Sequence, residues 1–204
     1  MNLLKINSMI LIGATSRNIG KTSLAVELIK ELALVYNVIG LKVTTIQPGH
    51  KKCPRGGKGC GVCTSLQGNY DIVQEKDKTK NKDTSKLLCA GAKKVYWIRV
   101  FDDYVTEAIH EFCKMIPNNT VIICESNSIR KYVLPGLFIM LDTENQESQK
   151  KKSALDVIDK ANVVLTYNHN ALLRHYEPHP AVIDKVFQLI EKIKNTEFSD
   201  EDIT

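Results

Sequence analysis

The chain has 204 residues, of which 43% are hydrophobic and 25% are charged, a balance typical of a globular protein with one sizeable core. Its longest apolar runs, such as residues 9–14 and 121–124, are far shorter than the roughly 20 residues of a membrane-spanning helix, which excludes such a helix. The first residues lack the apolar region of a signal peptide, so we expect a cytoplasmic protein. The net charge of +5 comes from dispersed lysines, which gives no support for nucleic-acid binding.

Short apolar runs alternate with segments of helical periodicity along the chain. This alternation predicts an α/β fold, in which a mostly parallel sheet is flanked by helices. We expect one domain over residues 1–195 and an acidic tail over 196–204. The predicted strands are 9–14, 38–46, 94–100, 120–125, 137–141 and 162–167, and the predicted helices are 22–35, 84–90, 103–115, 153–160 and 181–194.

Two segments interrupt this alternation. Residues 47–83 are rich in Gly, Pro, Cys, Lys and Asp, have little periodicity, and are too long for an ordinary connection. We therefore interpret them as an insertion that something other than a hydrophobic core must order. Residues 142–152 are polar throughout and predict a surface loop.

The segment after the first predicted strand carries the clearest motif of the chain. An apolar run is followed by a short loop and then by Gly20-Lys21-Thr22 at the start of a helix, which is the context of a phosphate-binding P-loop. Backbone N–H groups at a helix start form an anion site. Gly20 lets the backbone approach the phosphate, Lys21 supplies charge near the β- and γ-phosphates, and the Thr22 hydroxyl is a ligand for Mg²⁺.

The register of this motif departs from the usual pattern at one position. The strict pattern has glycine where this chain has Thr15, and the nearest glycine is Gly13. A P-loop with threonine at that place resembles the loop of dethiobiotin synthetases. The predicted nucleotide-binding residues, for ATP or GTP, are Thr15, Arg17, Asn18, Ile19, Gly20, Lys21, Thr22 and Ser23.

More of the chain resembles a known group, the MobB-like proteins of molybdenum-cofactor synthesis, and more loosely dethiobiotin synthetase. The matching stretches are the loop at 15–22, the strand at 38–44, Lys82-Asp83-Thr84 followed by Cys89-Ala90-Gly91-Ala92, and the strand that ends at Glu125. They cover about the first two-thirds of the chain. The resemblance implies a P-loop NTPase that works as a homodimer.

Two charged side chains at predicted strand ends are candidates for catalytic roles beside Lys21. Lys42 lies where parallel sheets bind ligands, so it could neutralise the γ-phosphate; a surface lysine is the alternative. Glu125 ends an apolar strand, which favours a role in holding Mg²⁺ together with Thr22. Asp83 and Thr84 either cap a helix or contact the nucleotide.

The identity of the base stays open. The guanine-reading motif Asn-Lys-x-Asp is absent from the chain. Asn168 follows a late predicted strand where a base could be read, but it is equally a turn-starting residue. The MobB-like group usually has a glycine after its strand-end glutamate, whereas Ser126 follows Glu125 here, which leaves the second substrate unassigned.

The insertion contains a cluster of metal-binding residue types. His50, Cys53, Cys60 and Cys63 can close four-coordinate ligation around one ion, which predicts a zinc site or an iron–sulfur cluster. A redox-active Cys-x-x-Cys pair and free thiols are the alternatives. The remaining cysteines, Cys89, Cys113 and Cys124, are interpreted as small apolar core residues.

Two functions account for these features. The first is a slow, Mg²⁺-dependent NTPase that assists molybdenum-cofactor or other metallocofactor assembly, with an assembly protein as its partner. The second is an ATP-dependent ligase or kinase for a small molecule, similar to dethiobiotin synthetase, which leaves the cysteines unexplained. A metal-binding adaptor that keeps the P-loop only for structure is a third, weaker hypothesis.

Overall fold

The computed structural model describes residues 3–46, 66–79, 81–143 and 150–167, together with Val186, Gln188 and Glu191. The strands are β1 Leu4–Ala14, β2 Asn37–Ile46, β3 Tyr70–Glu75, β4 Lys94–Phe101, β5 Thr120–Glu125, β6 Val133–Thr143 and β7 Val163–Tyr167. The helices are α1 Lys21–Leu32, α2 Asp83–Cys89, α3 Val105–Lys114 and the short α4 Lys152–Leu155, with 3-10 turns at Asp102–Tyr104, Ser128–Lys131 and Ile158–Lys160.

The strands form a sheet of seven strands in the order β3-β4-β2-β5-β1-β6-β7. All neighbours are parallel except β3 and β4. The central strand β5 is buried along its whole length, and its four middle residues, 121–124, are apolar as this position in the sheet favours. The predicted mostly parallel α/β sheet is therefore confirmed.

Helices cover both faces of the sheet and define two hydrophobic cores. The apolar side of α1, which includes Leu24, Leu28 and Ile29, packs with Leu87 of α2 on one face. The opposite face holds α3, whose Phe112 meets Tyr96 of β4 edge to face, with ring centroids 5.5 Å apart. These two layers leave the carboxyl ends of the parallel strands along one edge, where ligands bind in such sheets.

The insertion predicted over 47–83 is partly wrong, because β3 lies inside it. Tyr70 and Ile72 pack against the core on the α3 face, while Asp71 accepts hydrogen bonds from Arg99 on the other face. This alternation spans only six residues. The polar flanks masked it, and the partner strand that orders it is distant in sequence.

Several predicted boundaries also need correction. The helix expected over 153–160 is α4 followed by a separate 3-10 turn, because Ala154 and Val157 make three-residue backbone hydrogen bonds as both side chains enter the core. The helix over 181–194 is largely outside the described residues, but Val186 is helical and buried against the α1 face as predicted.

The three cysteines interpreted as core residues differ in their surroundings. Cys124 is buried and Cys113 is half-buried, and burial raises the pKa of the Cys113 thiol to about 11. Cys89 is exposed, so its assignment to the core is wrong. It lies at the end of α2 on the side away from the buried Thr84 and Leu87, and its thiol donates to the Lys78 carbonyl at 3.2 Å.

Candidate phosphate-binding site

The loop between β1 and α1 has the backbone geometry of a phosphate cradle. Asn18 and Gly20 both have positive φ angles, 58° and 93°, which turn the chain sharply before the helix begins. Gly20 is the N-cap of α1 and has no side chain that could cap the first N–H groups of that helix. The first N–H groups of a helix have no partner within the helix, so they can donate to an anion.

The predicted loop residues divide into those that hold the loop and those that face outward. Thr15 and Ile19 are buried, and the Thr15 N–H donates to the carbonyl of Leu141 in β6 at 2.9 Å. Arg17, Asn18 and Ser23 are exposed. The loop is thus anchored at its start and open at its middle, as a phosphate loop requires.

Glu125 lies at the centre of the site. It ends β5 and pairs in register with Ile12 of β1 and Lys42 of β2, so the strand-end positions chosen from the sequence are neighbours. The Thr22 hydroxyl donates to Glu125 Oε2 at 3.2 Å. The other carboxylate oxygen, Oε1, is buried and has no hydrogen-bond partner among the described residues. A buried acceptor of this kind suits a metal ion or its water.

Burial shifts the two central charges in opposite directions. Burial raises the pKa of Glu125, and the nearby charges of Lys42 and Lys21 only partly oppose this. Burial also lowers the pKa of Lys21, against the attraction of Glu125. Each group is therefore held at a cost in solvation, which a bound cation or phosphate of opposite charge would offset.

Lys42 is not a free surface lysine. Its ammonium forms an ion pair with Asp83 in the first turn of α2. Burial would raise the pKa of Asp83, but the hydrogen bond and charge of Lys42 outweigh it and keep the pKa low. The side chain of Asp83 is still 39% exposed. A charged carboxylate thus lies open to solvent beside the predicted phosphate position.

The interpretation of Asp83 and Thr84 as an N-cap pair is wrong, because the N-cap residue of α2 is Lys82. Thr84 instead donates through its hydroxyl to Glu75 Oε2 at 2.7 Å. Glu75 Oε1 accepts the backbone N–H groups of Lys76 and Asp77 at 3.1 and 3.0 Å. The end of β3 therefore supports the helix turn that carries Asp83.

Sequence reasoning missed two residues that contact the loop. The Asn127 side chain hydrogen bonds to the backbone of Ala14, and the Lys151 ammonium donates to the Ser16 carbonyl at 2.9 Å. Asn127 follows Glu125 at the ligand-binding edge, a position that could have drawn notice. Lys151 lies in the segment interpreted only as a polar loop, and no sequence signal distinguishes it.

The predicted zinc or iron–sulfur ligands, His50, Cys53, Cys60 and Cys63, lie outside the described residues, as does Asn168. Within the part of the chain that the structure describes, no group of three or more His, Cys, Asp or Glu side chains could hold a metal ion. Mg²⁺ bound with nucleotide needs only one or two protein carboxylates, so this finding does not bear on Glu125. In the same ranges, no helix is long and apolar enough to cross a membrane.

Comparisons with known proteins give the chain no family. No protein-family model matches it, and no curated protein matches it significantly. Among solved structures, it is similar to LpxK from Aquifex aeolicus in complex with ATP, with 16% identity and a TM-score of 0.48 over 87% of this chain and 54% of that chain. The chain thus spans about half the length of LpxK, and a likeness this distant assigns it no activity or substrate.

Proposed function

We propose that this protein binds ATP or GTP with Mg²⁺ at the loop between β1 and α1 and hydrolyses it slowly. The observation that carries the proposal is the Thr22–Glu125 hydrogen bond beneath a left-handed Gly20. It brings a hydroxyl and a buried carboxylate together at the start of an uncapped helix. Those are the groups that a Mg²⁺-bound triphosphate requires.

Each charged side chain then has a role. Thr22 and Glu125 would hold Mg²⁺, directly or through water, and the ion would neutralise charge that develops on the phosphates. The Lys21 ammonium contacts the β- and γ-phosphates, which restores the solvation that burial removes. Lys42, placed by its register beside Glu125 and paired with Asp83, approaches the γ-phosphate from the neighbouring strand.

Calorimetric titration with MgATP and MgGTP tests this proposal. Lys21→Ala should weaken binding by at least about a hundredfold, or roughly 3 kcal/mol, because a charged hydrogen-bond donor to the phosphates is lost. Lys30→Ala is the matched control, since Lys30 lies on the same helix and only pairs with Glu27 on the surface. Normal binding by Lys21→Ala would rule out the site.

The wider role we propose is assistance in metallocofactor assembly, in which nucleotide state alters the segment that carries the cysteine cluster. Its support is the sequence: the four candidate ligands follow β2, the strand that carries Lys42. The resemblance to MobB-like proteins supports the same role, a homodimer and an assembly-protein partner. Anaerobic purification followed by zinc and iron analysis tests the cluster, and a clearly substoichiometric metal content would exclude it.

A second candidate, phosphoryl transfer to a small molecule, is favoured by the partly exposed Asp83 carboxylate. A charged acceptor beside the γ-phosphate could orient the attacking group of a second substrate. Turnover that requires a small molecule with a hydroxyl or amine group would favour this ligase or kinase activity. Slow turnover without an acceptor, raised by a partner protein, would favour the accessory role.

A further inference from the structure

The side-chain amide of Asn127 forms two hydrogen bonds with the backbone just before the candidate phosphate loop. Its Oδ1 accepts the N–H of Ala14 at 2.8 Å, and its Nδ2 donates to the carbonyl of the same residue at 2.9 Å. The same Nδ2 lies 3.4 Å from the Ser153 hydroxyl. One side chain therefore satisfies both backbone groups of the residue that precedes Thr15.

These two hydrogen bonds extend the pairing of β1 with β5 beyond the point where the backbone of β5 ends. The parallel pairing of β1 with β5 ends where Ile12 meets Glu125, and the Ser126 N–H adds one bond to the Ile12 carbonyl at 3.1 Å. The chain then turns into the 3-10 turn at Ser128–Lys131. A carboxamide has the same donor and acceptor as a peptide group, so Asn127 replaces the next ladder residue.

Gly13 provides the space that this arrangement needs. A Cβ atom on Gly13 would lie 3.1 Å from Asn127 Oδ1 and 2.9 Å from the methyl group of Met140. A side chain at position 13 would therefore displace the Asn127 amide from its hydrogen bonds with Ala14. The glycine that the P-loop pattern left unused is therefore explained by close packing.

We propose that Asn127 is a positioning residue that fixes the phosphate loop relative to Glu125, so that Thr22 and Glu125 meet the same Mg²⁺ ion. The inference rests on the proposed nucleotide site and adds a residue to it. Asn127 is two residues beyond Glu125, and Ala14 directly precedes the loop. The amide thus ties the segment that follows Glu125 to the backbone that leads into the candidate phosphate loop.

Amide hydrogen exchange on the nucleotide-free protein tests the contact itself. Asn127→Ala should speed exchange at the Ala14 N–H by at least about tenfold, while Ile10 in the middle of β1 keeps its rate. Asn37→Ala is the matched control, because Asn37 also bonds across β2 and β5, to Thr120 at 3.1 Å, but at the opposite edge. Unchanged exchange at Ala14, or equal acceleration at Ile10, would overturn the proposal.

Nucleotide titration tests the consequence. We expect Asn127→Ala to weaken MgATP or MgGTP binding by about tenfold and to raise the Mg²⁺ concentration for half-maximal turnover, with Asn37→Ala at wild-type values. Asn127→Asp keeps the acceptor for the Ala14 N–H but sets a carboxylate against its carbonyl, so Ala14 should stay protected while nucleotide binding falls. Equal effects of Asn127→Ala and Asn37→Ala overturn the positioning role. A wild-type protein that binds no nucleotide instead overturns the function on which it rests.

Discussion

The two ends of the β2–β5 pair differ sharply in chemistry although they share the same strands and register. At the amino ends, Asn37 faces Thr120 and donates a neutral hydrogen bond. At the carboxyl ends, Lys42 faces Glu125, whose pKa burial raises. The Asn37–Thr120 pair contributes about 1 kcal/mol to the free energy of unfolding, as is usual for a neutral hydrogen bond. The second places charge where solvation is poor, an arrangement that folding alone does not favour and that a ligand would make favourable.

We expect the largest effect from a substitution of Glu125 at the carboxyl end of β5. If NTP turnover is measured against Mg²⁺ concentration, Glu125→Ala should lower kcat by about a hundredfold or more, because a metal contact supplies several kcal/mol of charge stabilisation. Thr120→Ala, at the other end of β5, should leave kcat unchanged. Equal activity of the two variants would remove the functional distinction between the ends.

A second comparison separates close packing from backbone strain in the loop region. Gly13→Ala should lower the free energy of unfolding by about 1–3 kcal/mol, because its new methyl group overlaps Met140 and Phe138. Gly20→Ala enters open space and meets only the strain of positive φ, about 1–2 kcal/mol. Urea denaturation of both variants measures the difference. A loss well below about 1 kcal/mol for Gly13→Ala would contradict the packing account.

The buried carboxylate of Glu125 should lower the free energy of unfolding when it is ionised. Because the folded pKa of Glu125 is raised, the folded chain binds more protons than the unfolded chain between pH 4.5, its ordinary value, and the raised pKa. The contribution of this group to stability is therefore present in acid and lost as pH rises through the raised pKa. In the absence of nucleotide, Glu125→Gln should raise Tm at pH 8 by about 2–4 °C, or about 1 kcal/mol. The gain should vanish near pH 4, and a gain that grows in acid would reverse the assignment.

The smallest effect is expected at the amino end. Asn37→Ala removes one neutral hydrogen bond from a half-buried position and should cost about 1 kcal/mol or less of unfolding free energy. Nucleotide affinity should stay at its wild-type value, which calorimetry can check on the same samples. A tenfold loss of affinity would mean that the two ends are coupled through β2 and β5.

The sequence is enough to predict the candidate phosphate loop and the positions of Lys42 and Glu125. The candidate phosphate loop follows from a strand, a glycine and a helix start within a few residues. Lys42 and Glu125 could be placed at one edge because parallel strands end together. The role of Asp83 cannot be predicted in this way, because its ion pair joins it to Lys42, 41 positions away, and their proximity depends on strand order.

The remaining features cannot be predicted from the sequence, because they depend on contacts with residues that are distant along the chain. β3 is too short and too polar on one side to stand out, and it becomes a strand only beside β4. Asn127 and Lys151 act through backbone atoms of β1 and the loop, so the residue types they contact carry no signal. The sequence does not reveal that Cys89 is exposed, because periodicity poorly defines the buried side of a helix as short as α2.

The antiparallel direction of β3 has a consequence for how this protein can change. Since β3 begins opposite Val100 near the end of β4, any segment that joins Ile46 to Tyr70 must leave and return at the same edge of the sheet. Its length can then vary without shifting a single strand, because closing a longer loop costs only about 0.6 kcal/mol per doubling. We therefore expect an engineered change of length between Ile46 and Tyr70 to leave Lys42 and Glu125 at their register positions.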